Sequence, residues 1–458
     1  MNMRRLGLVS VMLIALFVIY SCNKTKTRPS GNPSEILDAQ TYNKLQQSYK
    51  TIKNFQNGTA VVQNVKYGLI DEFGNEVLPC EYDTIYGLKK NFRIVVKDSL
   101  FGATNVDGRV IKQCSYVDAS DASCKYLAMQ LNDKWGFIDV DGNDVTQYKY
   151  EGIYTFNDTT FVAKYEGYFG VSDYKQNVII PFEYDEIHYK WDEKCPVTIV
   201  KSGEFYGLYN SKNQKVLECE YGLMFPNSSG LITIRKQAQS YKDVRKALVE
   251  AETGKIVIPF DYMDMGDFSE GLVSAENFEE KWGYLDKNGK TVIPFIYEEA
   301  GNFSEGLAAV YQFSGYMNTI LGRTRTSKCG YINKDGQVVI PFQFKEVFGI
   351  DVCEFHDGLA VQGVSNNNRF ALVFGYIDKK GNWVIKPKFD EAQKFDKGIA
   401  QVVINEQYGY INTKGELIIP CKYDKYGGWF VNDSTIELKR DGIEYYFNLQ
   451  GKTVSKPE

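Results

Sequence analysis

The stretch Lys281–Val310, KWGYLDKNGKTVIPFIYEEAGNFSEGLAAV, decides how the whole chain is read. Two apolar runs, Trp282-Gly283-Tyr284-Leu285 and Thr291-Val292-Ile293-Pro294, flank Asp286-Lys287-Asn288-Gly289. An aspartate side chain accepts a hydrogen bond from the backbone two residues on, and glycine tolerates positive φ without a Cβ clash. Asx-x-x-Gly between two apolar runs therefore predicts a β-hairpin on a type I turn with a glycine bulge. Phe295 and Tyr297 stand two residues apart, so they share one face of an extended strand. Phe303-Ser304-Glu305-Gly306 then turns the chain into another short β run, Leu307–Val310. The unit reads as a three-stranded antiparallel meander.

The unit recurs along the chain. Aligned on Gly289, its relatives are centred on Gly74, Gly108, Gly142, Gln176, Asn213, Gly254, Gly336, Gly381, Gly415 and Gly451. The steps between successive anchors are 34, 34, 34, 37, 41, 35, 47, 45, 34 and 36 residues. A fixed base period with insertions is the signature of a repeat architecture. Three residues before the anchor stands Asp or Asn in every copy except that of Gly254, which has Ala251. Eight residues after it stands Tyr82, Tyr116, Tyr150, Tyr184, Tyr221, Tyr262, Tyr297, Phe344, Phe389 or Tyr423. Stacking of copies is expected to align these rings into aromatic ladders through the core.

Composition agrees with this reading. Among 458 residues there are 33 Tyr, 28 Phe and 40 Gly, a balance that suits pleated surfaces better than helices. The net charge of −5 supplies no basic field for nucleic acid, so no nucleic-acid partner is expected. The fold class expected is all-β: a tandem array of about eleven three-stranded meanders, elongated, twisted and solenoid-like. Closure into a β-propeller is the alternative, disfavoured because propeller blades usually have four strands and about 40–45 residues.

The pattern Trp/aromatic-Gly-Tyr-Ile-Asp-x-x-Gly-x-x-Val-Ile-Pro resembles the signature of the WG-repeat family. It stands here as Trp135-Gly136-Phe137-Ile138-Asp139, Trp282-Gly283-Tyr284-Leu285-Asp286, Phe374-Gly375-Tyr376-Ile377-Asp378 and Tyr408-Gly409-Tyr410-Ile411-Asn412. The resemblance covers about Phe55–Val454 and departs where Leu248 and Tyr445 replace the motif glycine. It implies a bacterial β-repeat protein and little chemistry.

The N-terminus reads as a targeting segment. Arg4 and Arg5 precede an apolar run, Leu6–Tyr20, that is short for a membrane-spanning helix. Ile19-Tyr20-Ser21-Cys22 resembles the lipobox of bacterial lipoproteins. That resemblance implies a signal peptide over residues 1–21, cleavage before Cys22 and lipidation of its thiol, with several acyl chains, palmitate among them, as the membrane anchor. Residues 22–33 then form a flexible tether. Residues 34–54 are expected to hold a helical cap, N-capped by Ser34, that covers the open edge of the array spanning 55–458. The address expected is the bacterial envelope, at the outer membrane with the body facing the periplasm; surface exposure is the alternative.

No stretch asks to be called an active site. There is no Gly-x-Ser-x-Gly, His-Glu-x-x-His or P-loop. His356 occupies a turn slot filled elsewhere by Ser269, Ser304 and Asp396, and His188 follows a strand. A calcium role for the recurring Asp-x-x-Gly is disfavoured, because five of its ten Asx residues are Asn. Cys80, Cys114, Cys219 and Cys421 all fall six residues after an anchor, a core slot, and a Cys80–Cys114 disulfide is the one pairing weighed. No Cys-x-x-Cys spacing points to zinc, and neither metal nor cofactor is expected.

The insertions carry the best functional hint, since insertions in arrays map to loops and often to a binding face. The 47-residue step adds residues around Tyr311–Lys328, with Tyr311, Phe313, Tyr316, Arg323, Arg325 and Lys328. The 45-residue step adds Gly349–Glu354 or Gly363–Arg369. The expected function is a non-enzymatic envelope lipoprotein whose array binds a protein partner through Tyr316, Arg323, Arg325 and Lys328. A glycan-binding surface of exposed aromatics is the alternative.

Overall fold

The computed structural model describes residues 28–456 apart from 191–194, 227–228, 241–242, 320–321, 346–352, 367–370, 425–427 and 433. The signal segment 1–21 and Cys22 lie outside the described residues. The chain divides into two compact units, Met1–Tyr189 and Lys190–Glu458.

The first unit opens with two helices, Pro33–Ile36 and Ala39–Ser48. The single helix expected from Ser34 is interrupted at Leu37, which is extended, and the caps differ from expectation. Asn32 caps the first helix, accepting from Ser34 N at 3.1 Å, and Asp38 caps the second, accepting from Gln40 N and Thr41 N at 3.0 Å each. A second short polar side chain thus restarts the helix one turn on. Four antiparallel sheets follow, and the first consists of Thr51–Ile52, Thr59–Gln63, Tyr67–Asp71 and Glu76–Tyr82.

The second unit carries the remaining copies. The fifth and sixth copies of the chain share one sheet because Lys215–Pro226 runs unbroken from one into the other. The most regular sheet is Asp264–Met265, Leu272–Glu276, Trp282–Asp286 and Thr291–Tyr297. The next is Glu299–Ala300, Ala308–Thr319, Gly322–Ile332 and Val338–Lys345. Strand order follows chain order and pairing is antiparallel, so the fold is an all-β array of meander repeats. To each three-stranded meander most copies add a short edge strand, such as Asp264–Met265, drawn from the residues just after the preceding copy's +8 aromatic.

The turns form as their residues require. Asp286 Oδ1 accepts from Asn288 N at 2.8 Å and Lys290 N at 3.0 Å, Gly289 takes φ 78°, and the register shifts by a bulge between Tyr284 and Leu285. The Gly254 copy shows why its pattern looked broken. Its turn runs from Glu250 to Lys255 and is one residue longer, with Gly254 N donating to Glu250 O at 2.8 Å. Lys246 therefore pairs with Tyr262 as Trp282 pairs with Tyr297. Ala247, not Leu248, stands in the motif-glycine place, and Glu250, not Ala251, takes the Asx place.

The motif glycine is a packing residue. A Cβ on Gly283 would lie 2.7 Å from Ile293 O and 3.0 Å from Phe295 Cγ. The side chain six residues after the anchor therefore folds over bare backbone of its own copy. That side chain then meets the +8 ring of the preceding copy. Tyr221 stacks on Phe260 with centroids 6.2 Å apart, Tyr262 on Phe295 at 5.8 Å and Tyr297 on Phe342 at 6.5 Å. The aromatic ladder is thus a series of pairs that join neighbouring copies.

Each end of the array has a substitute for the missing neighbour. A Cβ on Gly74 would meet Thr41 Cγ2 at 2.6 Å and Leu45 Cδ1 at 3.1 Å, whereas one on Gly336 would meet Ile293 of the copy before it. The helix Ala39–Ser48 fills the place of a preceding sheet, with Leu37 and Leu45 packed on Ala60, Val62 and Ile70. In the last copy Tyr445 fills the slot a +6 side chain fills elsewhere and packs edge-on against Tyr423, centroids 5.6 Å apart. That is why a tyrosine can stand where the motif has glycine.

Candidate binding surfaces

The 47-residue step is not a loop. Its extra residues lengthen two strands of the repeat, Ala308–Thr319 and Gly322–Ile332, into a hairpin about twice the length of its counterpart Leu272–Asp286. A bulge between Phe313 and Gly315 inserts one residue and restores side-chain parity, so Phe313 and Tyr316 share a face. Their rings meet edge to face at 5.3 Å, and they are 40% and 53% exposed. The Arg325 guanidinium lies over Phe313, 4.8 Å from its centroid, and its Nη2 reaches Glu298 Oε2 at 2.7 Å. Glu298 also takes Lys281 Nζ at 2.5 Å. The ion pair ties the base of the hairpin to the sheet before it.

The residues expected here are therefore only partly brought together. Tyr316 and Arg325 face one another across the strands, joined by Phe313. Lys328 pairs with Gln312 and, by strand alternation, points to the opposite face from Phe313 and Arg325. Arg323 pairs with Asn318 in the register, and its side chain lies outside the described residues. Tyr311 is 1% exposed and belongs to the core. Of the other insertion, Gly363 and Val364 extend the hairpin Ala360–Asn366/Ala371–Ile377, while Arg369 and Gly349–Val352 lie outside the described residues.

A second surface lies at Trp282, the first residue of its strand. Trp282 is half-buried and walls a cavity of about 370 Å³ between the edge strands Asp264–Met265 and Glu299–Ala300. Asp264, Asp267, Glu299 and Asn302 line it with Trp282, and Asp264 is ion-paired to Lys246. Ser274 is 1% exposed, and its Oγ, which faces the space above Gly266, has no hydrogen-bond partner. The same place in the second copy is a cavity of about 360 Å³, lined by Phe101, Tyr86, Lys89 and Asp118. The motif aromatic thus walls a recurring slot. The signal that could have found it is the acidic residue ten after the anchor, at Asp118, Asp264 and Glu299.

The two histidines and the cysteines form no centre. His356 Nε2 lies 3.4 Å from Glu354 Oε2, a carboxylate that also takes Lys394 Nζ at 3.2 Å and Asn302 Nδ2 at 3.1 Å. This cluster joins the turns of successive copies. Among the described residues no group of three His, Cys, Asp or Glu could hold a metal ion. Cys80 and Cys114 are not joined, and each stands as a thiol. Burial raises the Cys114 and Cys421 thiols above their ordinary range, as befits core side chains. Among the described residues no helix is long and apolar enough to cross a membrane.

Comparison with known proteins assigns the repeat. The WG containing repeat matches residues 67–101, 135–167, 169–195, 206–237, 252–277, 282–312, 330–360, 374–408 and 408–433. No curated protein matches the sequence. Among solved structures, one titled as the eukaryotic initiation factor is 10% identical, covering 72% of this chain and 95% of its own, with a TM-score of 0.34. The tricorn protease is 10% identical, covering 88% and 52%, with a TM-score of 0.32. PorZ of Porphyromonas gingivalis, titled a surface component of the type-IX secretion system, is 8% identical, covering 89% and 69%, with a TM-score of 0.24.

Proposed function

The chain belongs to the WG containing repeat family, and from that premise we propose that its array is a non-enzymatic binding scaffold held at the bacterial envelope by lipid on Cys22. The observation that carries the reading is the Phe313–Tyr316–Arg325 cluster, displayed on a hairpin about twice the length of its counterpart in the preceding copy. Exposed aromatics beside an arginine are what protein-binding hot spots are made of. The residue pattern up to Cys22 supports the anchor. Residues 29–31 of the expected tether are fastened to the array rather than free: Gly31 N donates to Phe55 O at 3.0 Å and Gly58 N to Pro29 O at 2.8 Å. The body faces the periplasm from the outer membrane, surface display being the alternative.

Crosslinking and capture from the native envelope tests the partner. The wild-type chain should capture a defined protein, and Phe313→Ala/Arg325→Ala should lose at least tenfold of it at unchanged expression. Undiminished capture by that variant sinks the hairpin assignment. Mass spectrometry of the mature N-terminus should find acylated Cys22; an unmodified N-terminus at any other residue overturns the anchor. A hydrolytic activity of the pure chain, abolished by one point substitution, would overturn the non-enzymatic reading.

A second reading has its own support in the Trp282 slot. An indole wall, carboxylates, an amide and the unpartnered Ser274 hydroxyl offer stacking and hydrogen bonds to a sugar ring. Glycan-array binding that Trp282→Ala abolishes and Phe313→Ala spares would favour this reading over the first.

A further inference from the structure

The eighth copy departs from its neighbours at the slot. Seven residues before the anchor, eight copies carry an aromatic: Tyr67, Phe101, Trp135, Phe169, Tyr206, Trp282, Phe374 and Tyr408. In the Gly336 copy that position is Cys329, and it is fully buried. The backbone opposite is marked by a recurring hydrogen bond. Tyr284 Oη donates to Gly301 O, Tyr331 Oη to Cys353 O and Tyr376 Oη to Gln393 O, each at 2.8 Å. Cys353 therefore stands where Gly301 lines the Trp282 slot. Both ends of the slot are cysteine in this copy alone, and both are 0% exposed.

The surroundings hold the two thiols together. Cys329 and Cys353 lie in one core cluster with Tyr311, Tyr331 and Phe355. Tyr311, the register partner of Cys329, has its hydroxyl 3.9 Å from Cys353 Sγ. Gln362 Nε2 reaches Cys329 Sγ at 3.7 Å and Tyr331 Oη at 2.6 Å. Four of the other six described cysteines occupy the +6 slot of separate copies.

We infer that Cys329 and Cys353 are a disulfide-forming pair, joined when the eighth copy folds in the presence of a disulfide oxidant. One thiolate attacks a low-molecular-weight or protein disulfide RSSR and expels RS⁻. The second thiolate then attacks the mixed-disulfide sulfur and expels the second RS⁻. The two protons lost by the cysteines pass to the leaving thiolates, so the balance is two protein thiols plus RSSR to one protein disulfide plus two RSH. Because both thiols are sealed in the folded copy, exchange precedes closure, and the finished bond is shielded from later reduction. The inference stands apart from the envelope reading, since the oxidant can be supplied in vitro.

The test is refolding of the full chain in a mixture of oxidised and reduced glutathione. The product is alkylated in denaturant, digested without reduction and mapped by mass spectrometry. A peptide pair linking Cys329 to Cys353 is expected, with two fewer alkylated thiols per chain than after refolding in reductant. Cys353→Val should return Cys329 to the alkylated pool. Full alkylation of both cysteines in a chain with native circular dichroism overturns the inference. So does linkage of either one to glutathione or to any other cysteine.

Discussion

At the scale of single residues, the motif glycine and one buried arginine show how far position outweighs type. Gly283 lacks a side chain because Ile293 O and Phe295 occupy its Cβ space. Gly283→Ala must displace backbone as well as a ring, so a loss of about 1–3 kcal/mol is expected in urea unfolding. A loss below measurement error would mean that the sheet yields locally. Arg93 stands where other copies have Ala60, Val273, Ala308 or Ala400, and it is 1% exposed. Its partners are Thr59 Oγ1, Gln56 Oε1 and Tyr86 O, all uncharged, and burial lowers its pKa to about 10. A buried cation without a counterion is weakly justified energetically. Arg93→Met should therefore leave stability unchanged or raise it by ~1 kcal/mol, whereas Arg93→Ala should lower it by ~2 kcal/mol through the cavity left. Equal losses in both variants would show that the three hydrogen bonds outweigh desolvation. The turn chemistry of Asp286 and Gly289 was legible in the sequence because it is local. The role of Arg93 was not, since its contacts come from residues 7 to 37 positions away.

At the scale of elements, the Ser-Glu-Gly turns turn out to be stitches between copies. Ser269 Oγ donates to Phe303 O at 2.7 Å and Ser304 Oγ to Phe355 O at 2.6 Å. Gly306 N donates to the Glu270 carboxylate at 3.1 Å, Gly358 N to Glu305 at 3.1 Å and Gly398 N to Asp357 at 2.7 Å. Burial raises the pKa of Glu270, but the Lys334 ion pair and the Gly306 N–H outweigh it and leave the pKa lowered. The sign follows from linkage: a carboxyl whose folded pKa is depressed stabilises the fold above the unfolded value of about 4.5. That contribution falls away as pH drops from there through the lowered folded value. Glu270→Gln keeps an acceptor for Gly306 and loses the charge, so its stability should decline less than wild type's over that acid window. Parallel acid limbs in urea titrations of the two proteins would refute the stitch as an electrostatic element. The sequence displayed these turns clearly, yet not their partners, because a turn's outward hydrogen bonds depend on where the next copy sits. The long hairpin was misread as a loop for a related reason: an insertion of even, polar–apolar alternation can extend a ladder as readily as it can bulge from one.

At the scale of the whole molecule, coupling is carried between adjacent copies. Rings pair from copy to copy, Gly336 rests on Ile293 of the copy before it, and the stitch from Glu270 to Gly306 reaches the next copy. The period therefore made the array legible from sequence, while the slots and stitches at the seams between copies were not. An array of this kind responds to damage as a chain of neighbours. Ile293 is 1% exposed and packs with Tyr284, Tyr297, Phe303 and Ile332. Ile293→Ala removes three buried carbons and should cost about 2–4 kcal/mol where it acts. Under native conditions, amide exchange should quicken in Leu272–Glu276, Trp282–Asp286, Thr291–Tyr297, Ala308–Thr319 and Gly322–Ile332, the strands that share its cluster. Exchange in Thr59–Asp71 and Phe92–Asn105 of the other compact unit should stay within error of wild type. Uniform acceleration across both units would mean that the molecule unfolds in one step, and would replace the chain of neighbours with a single cooperative body.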